Sequence, residues 1–177
     1  HLDRLPLDGT WRFQLLRTPD AAPGDRWGEA QVPGLWTRME GSWDLPQYTN
    51  VQMPFPGVAP QIPQPNPTGV YERTFTLPAG WAGRRVVLHV GAAESVLLVA
   101  LNGEQVGVSK DSHLAAEFDL TALVRAGENT LRLTVVKWSD ATYMEDQDQW
   151  WHGGISRSVF LYATDRVHLG DIRADAG

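Results

Sequence analysis

Apolar and polar residues alternate in short runs along much of this chain, and nowhere does a helical period persist for more than a couple of turns. Thr10 to Arg17 sets the pattern, with Trp11, Phe13 and Leu15 on one side of an extended strand and polar or mixed residues on the other. Similar strand-like runs recur at Gly69 to Leu77, Arg85 to Val90, Ser95 to Leu101, Glu104 to Ser109, Ala116 to Leu120, Thr130 to Lys137 and Ser158 to Ala163. Val167 to Ile172 alternates once more and reads as a last strand leaving the core. Asn102-Gly103 separates two of these runs, and an Asn-Gly pair supplies the positive backbone angles of a two-residue hairpin. About eight or nine short strands with long crossovers predict an all-β fold, a two-sheet jelly-roll β-sandwich, with an immunoglobulin-like sandwich as the alternative.

Pro33 to Pro67 breaks the pattern, being rich in proline, tryptophan and glycine. Such a segment cannot sustain ladder hydrogen bonds and is expected to form an irregular but packed excursion. Excursions this long usually carry function. The 177 residues, 42% hydrophobic and 20% charged, suit one globular domain with its own core and exclude global disorder. A net charge of -6 with scattered basic residues argues against nucleic acid as a partner. The absence of cysteine excludes disulfides and thiolate metal sites. No apolar run approaches the roughly 20 residues that span a bilayer, so a soluble domain and no membrane partner are expected. The chain opens His1-Leu2-Asp3-Arg4 without methionine or an apolar leader and stops at Ala176-Gly177, which reads as a piece of a longer protein.

Two segments set polar groups beside aromatics: Gln47 to Val51, and Trp138 through Trp151. A pyranose has an apolar face that stacks on an indole and hydroxyls that bond to carboxylates and amides. Trp138, Trp150 and Trp151 offer the first property, and Asp140, Glu145, Asp146, Gln147 and Asp148 the second. The competing expectation, which spacing alone leaves open, is that the tryptophans are core and the acids a solvated turn. Glu145 with Asp148 is formally a pair of the kind that retaining hydrolases hold about 5 Å apart. His89, His113, His152 and His168 lack metal-ligand spacing. Asp111-Ser112-His113 reads as a turn, because neighbouring residues diverge where triad members must converge. Gly153-Gly154 reads as a tight bend feeding the last hairpin.

Taken together and in order, Tyr48-Thr49-Asn50-Val51, Asn66-Pro67-Thr68-Gly69, Asp111-Ser112, Ala116-Glu117-Phe118-Asp119-Leu120, Trp138-Ser139-Asp140 and Glu145-Asp146-Gln147-Asp148 resemble family-2 glycoside hydrolases of the β-galactosidase type. The resemblance runs from about Leu7 to Thr164. It implies an N-terminal, galactose-binding-domain-like jelly roll over residues 1–164, with 165–177 a linker or the start of a following immunoglobulin-like domain. A catalytic (β/α)8 barrel would follow, carrying the acid/base and nucleophile glutamates and the magnesium ligands. No catalytic residue is then expected in this chain, and Glu145 loses that candidacy. By the same resemblance Asn50 and Asp148 would reach the barrel's mouth and bind the β-galactoside, and Asp148 would also ligate sodium. The full-length enzyme would be a bacterial, cytoplasmic glycosidase of carbohydrate metabolism and a homo-oligomer.

Ser156 and Ser158 depart from the bulkier or charged residues usual before the last strand of relatives, which concerns local packing or subunit contacts. A family-2 β-glucuronidase or β-mannosidase is the alternative within the family, since specificity also depends on barrel loops. An autonomous carbohydrate-binding module is a second possibility, given eight tryptophans in a β-sandwich. A domain that braces subunits is the third.

Overall fold

The computed structural model describes residues 3–175. Positions 1, 2, 176 and 177, which include the first two residues of the polar opening and the last two of the expected linker, lie outside the described residues. The described residues form β1 (Asp3–Pro6), β2 (Gly9–Leu16), β3 (Gly28–Val32), β4 (Gly34–Leu35), β5 (Gln47–Thr49), β6 (Thr68–Thr76), β7 (Arg85–Val90) and β8 (Ala93–Glu94). There follow β9 (Val96–Leu101), β10 (Glu104–Ser109), β11 (Ala116–Asp119), β12 (Glu128–Val136), β13 (Gln149–Trp151), β14 (Gly154–Ile155) and β15 (Val159–Thr164). Short 3-10 turns are the helical elements among them; no α-helix occurs.

The strands build a sandwich of a six-stranded sheet, ordered β10-β9-β12-β6-β2-β3, and a four-stranded sheet, ordered β1-β15-β7-β11. Alternation decides which side chains enter the space between them. Trp11 and Phe13 from β2 meet Leu131, Leu133 and Val135 from β12, while Leu88, Val90, Val159 and Leu161 enter from the other sheet. The β12 trio is fully buried, and each such side chain contributes roughly 1.5–3 kcal/mol. Asn102 and Gly103 adopt φ of 54° and 87° and turn β9 into β10, with Leu101 opposite Glu104. The Asn102 amide also donates to the Leu123 carbonyl and to Asn129, tying the hairpin to the loop before β12.

Between β3 and β6 the chain carries only β4, β5 and one 3-10 turn, Trp36–Arg38, in an otherwise irregular path. This segment does not hang free. The Trp36 amide donates to the Gly153 carbonyl at 2.9 Å, and the buried Asn66 side chain brackets Trp138, accepting from its N–H at 3.0 Å and donating to its carbonyl at 2.8 Å. Ser95 Oγ bonds Ser139, and the Glu145 carboxylate accepts from the N–H and Oγ of Ser112. Segments 33–67, 91–95, 110–115 and 137–158 thus gather into one cap on the sandwich. Within it lie two small sheets, β4-β14-β8 and β13-β5.

The strand expected over Val167 to Ile172 is absent. Pairing ends with Thr164 opposite Arg85, and Val167, Leu169 and Ile172 lie exposed without a neighbouring strand to bond. Gly153-Gly154 is likewise more than a bend. Gly154 pairs with both Leu35 and Glu94 as part of β14, and Gly153 lies against the Trp36 indole so closely that a Cβ would overlap the ring.

Candidate functional site

The chemistry-bearing residues of the cap converge on the ribbon made by β5 and β13. Its register pairs Gln149 with Thr49, Trp150 with Tyr48 and Trp151 with Gln47. Asn50 directly follows β5 and Asp148 directly precedes β13, so the two sit at the same end of the ribbon, each in the bend beyond the last paired residues. Period-two alternation then gives the ribbon two unlike faces. Tyr48 and Trp150 share the outer one, Asn50 and Asp148 lie in the bends at its end, and all four are solvent-exposed. The Tyr48 hydroxyl donates to Asp148 Oδ1 at 2.6 Å, and its ring lies 5.5 Å from that of Trp150. That hydrogen bond raises the Tyr48 phenol above its ordinary value.

The inner face explains why so short a ribbon holds. Trp151 is buried, donates its indole N–H to Thr49 Oγ1 at 2.6 Å, and packs with Trp138 and Phe55 in a separate aromatic core. Centroid distances of 5.7 Å for Trp138–Trp151 and 5.2 Å for Phe55–Trp138 place the rings in tilted and edge-on contact, worth about 0.5–1.5 kcal/mol per pair beyond burial. Gln47 and Gln149 satisfy the carbonyls of Pro54 and Glu145. Ser139 caps the 3-10 turn that follows it, Asp140–Tyr143, through a reciprocal pair of hydrogen bonds with Thr142, which fixes the approach to the acidic stretch.

Deeper in the cap lies a knot of charge. Lys137, with a side chain only 1% exposed, meets both oxygens of Asp44 at 2.7 and 2.9 Å, and Asp44 also accepts the Trp36 indole N–H at 2.7 Å. Burial pushes the Lys137 ammonium down while Asp44 pulls it back up. Burial raises the Glu94 carboxyl, and burial together with the Arg38 and Lys137 charges lowers His152, whose Nδ1 lies 2.9 Å from Thr37 Oγ1.

The structure therefore separates residues that the sequence grouped. Of the three candidate stacking indoles, Trp138 and Trp151 are core at 6% and 7% exposure, and only Trp150, at 58%, faces solvent. Among the acids, Asp140 pairs with Lys110 and Glu145 is occupied by Ser112, while Asp146 and Asp148 are exposed. Asp111 accepts the N–H groups of His113 and Leu114, the geometry of a turn. His89 stacks on Phe160 and His168 bonds the Asp165 carbonyl, while His113 and His152 line one small cavity with Glu94 and Glu145, where His152 bonds Thr37. Among the described residues no three His, Cys, Asp or Glu side chains stand together as a metal-ligand set. No helix among them is long and apolar enough to cross a membrane. Sequence reasoning placed Tyr48 in a motif without giving it a role; its contact with Asp148 needed the strand register.

Fold and ribbon define a β-sandwich domain that gathers aromatic and polar groups on its loops. The chain belongs to the family 2 glycosyl hydrolases, matching that family's sugar binding domain over residues 5–165. It is 42% identical over 175 residues to a β-galactosidase of Psychromonas ingrahamii, covering 94% of this chain and 17% of that protein. It is 40% identical over 186 residues to a β-galactosidase of Aeromonas hydrophila, covering 96% of this chain and 18% of that one. The chain thus spans less than a fifth of the length of these relatives. A β-glucuronidase of Bacteroides uniformis superposes with a TM-score of 0.69 at 21% identity, over 93% of this chain and 18% of that structure. The β-D-glucuronidase of Dictyoglomus thermophilum gives 0.68 at 21%, over 96% and 29%. At such identities the likeness is one of fold alone.

Proposed function

We propose that this chain is the sugar-facing domain of a retaining β-galactosidase, and that Asn50 and Asp148 complete a pocket whose catalytic groups lie on another domain of the longer protein. The observation that carries this reading is the shared end of the β5–β13 ribbon, where an exposed amide, an exposed carboxylate bonded by Tyr48 and two aromatic rings lie together. An amide donates and accepts at once, and a carboxylate accepts strongly from hydroxyls, so the pair suits a polyhydroxylated ligand. Exposed apolar residues on the same excursions, among them Leu45, Val51, Val58 and Met144, fit a surface that meets the rest of the enzyme. Galactosides are favoured over glucuronides because the relatives at 40–42% identity are β-galactosidases, whereas the glucuronidase likeness is structural.

Sodium fits this site as a ligand shared between domains. Asp148 presents one carboxylate oxygen beyond the one Tyr48 bonds, a hard donor suited to such a cation, and further oxygens would come from outside this chain. Bound there, the ion would anchor a sugar hydroxyl electrostatically. Magnesium belongs, on this reading, to the barrel.

The test has two arms. The isolated chain is expected to show no turnover of a chromogenic β-galactoside and little binding of galactose or lactose by calorimetry. In the longer protein, Asp148→Ala is expected to weaken sugar and sodium binding together, by about ten- to a hundredfold for the sugar, as loss of a charge-assisted hydrogen bond implies. Unchanged kinetics and sodium dependence in that variant would refute the assignment. Strong galactose binding by the isolated chain would favour an autonomous module instead.

A further inference from the structure

We propose that Tyr48 is a positioning residue for Asp148, holding Oδ1 so that Oδ2 is the oxygen offered to the ligand; this rests on the pocket-completing role of Asp148 argued above. Tyr48 and Asp148 occupy a diagonal cross-strand relation, because the residue opposite Tyr48 is Trp150, two places beyond Asp148. A diagonal neighbour is within reach of a long aromatic side chain and out of reach of a short one. The phenol spans that gap and makes a 2.6 Å bond, the length of a charge-assisted O–H···O⁻ contact.

An exposed carboxylate at a strand end otherwise rotates among several orientations, and ordering it at the moment of binding weakens affinity. The Tyr48 bond removes that freedom in advance. The phenol is itself held: its ring packs against Trp150 at 5.5 Å, and the ribbon beneath is anchored by the Trp151 indole on Thr49. Tyr48 thereby has two separable contacts, one through its ring and one through its hydroxyl. Tyr48→Phe removes only the second.

The experiment is a double-mutant cycle in the longer protein, read as the Kd of a non-hydrolysable thiogalactoside by calorimetry in sodium chloride and again in potassium chloride. Tyr48→Phe is expected to weaken binding about three- to tenfold in sodium, the scale of ordering one side chain. Asp148→Asn is expected to weaken it more, and the double variant no further than Asp148→Asn alone. The melting temperature of Tyr48→Phe should stay at the wild-type value, since the ring contact persists. If Asp148→Asn weakens binding while Tyr48→Phe leaves it unchanged, or if the two effects add, the positioning role is overturned and the pocket reading stands. If Asp148→Asn itself leaves Kd unchanged, the pocket reading falls, and this inference with it.

Discussion

Trp150 and Trp151 are neighbours in the chain with opposite fates, one facing solvent and the other packed beneath the ribbon. Composition could not separate them, because both are indoles beside acids. The distinction follows from register in a three-residue strand flanked by irregular chain, where no run of alternation is long enough to read. Asn50 and Asp148 were legible as candidates from their motifs, yet their meeting at one end of β5–β13 depends on a pairing across about a hundred residues. Glu94 gave no signal in the sequence, and its burial yields a prediction. Its carboxyl is raised in the folded state, so the folded chain holds the proton more tightly than the unfolded one. The stability it contributes is present below the ordinary glutamate range and lost as pH rises through the folded value. Glu94→Gln should therefore gain in melting temperature relative to wild type as the pH rises from about 4.5 to about 8. A pH-independent difference between the two would count against that burial. Gly153→Ala should destabilise the fold by about 1–3 kcal/mol in denaturant titration, because its methyl would overlap the buried Trp36 ring. A neutral outcome would mean the indole can shift.

Among elements, the strands with strong alternation or β-branched runs were readable nearly to the residue, as with Arg85–Val90 and Glu104–Ser109. The Asn102-Gly103 hairpin followed from turn chemistry alone. Weaker patterns failed in both directions. β1, with Leu5 as its single aliphatic residue besides proline, is a strand because β15 offers it an edge, and β3 buries only Ala30 and Val32. Val167 to Ile172 has the alternation but no partner strand, so the pattern does not become a ladder. The excursion from Pro33 to Pro67 shows what holds an irregular element in place: Asp44, which also accepts the Trp36 indole N–H within the excursion, takes both bonds from Lys137 and so ties it to the end of β12. Asp44→Ala leaves the lysine buried without its partner and should cost about 3–5 kcal/mol in chemical unfolding. Replacing Asp44 by leucine and Lys137 by methionine together should recover much of that loss. A loss below about 1 kcal/mol for Asp44→Ala would show the pair to be solvated in solution.

At the level of the whole molecule, the sandwich needed only the chain's alternation, since two sheets are the simplest way to bury so many one-sided strands. The cap required long-range contacts. Buried aromatics and buried charge there support a ribbon whose outer side is exposed. On the proposed reading, its inner residues serve stability and its outer ones binding. The most direct test is a crystal structure of the longer protein with a thiogalactoside bound. The expected result places Asn50 and Asp148 within hydrogen-bonding distance of sugar hydroxyls, about 2.6–3.2 Å, or of a cation that bridges to them. A bound sugar reached by neither side chain, with the β5–β13 ribbon turned away from it, would contradict the pocket-completing role.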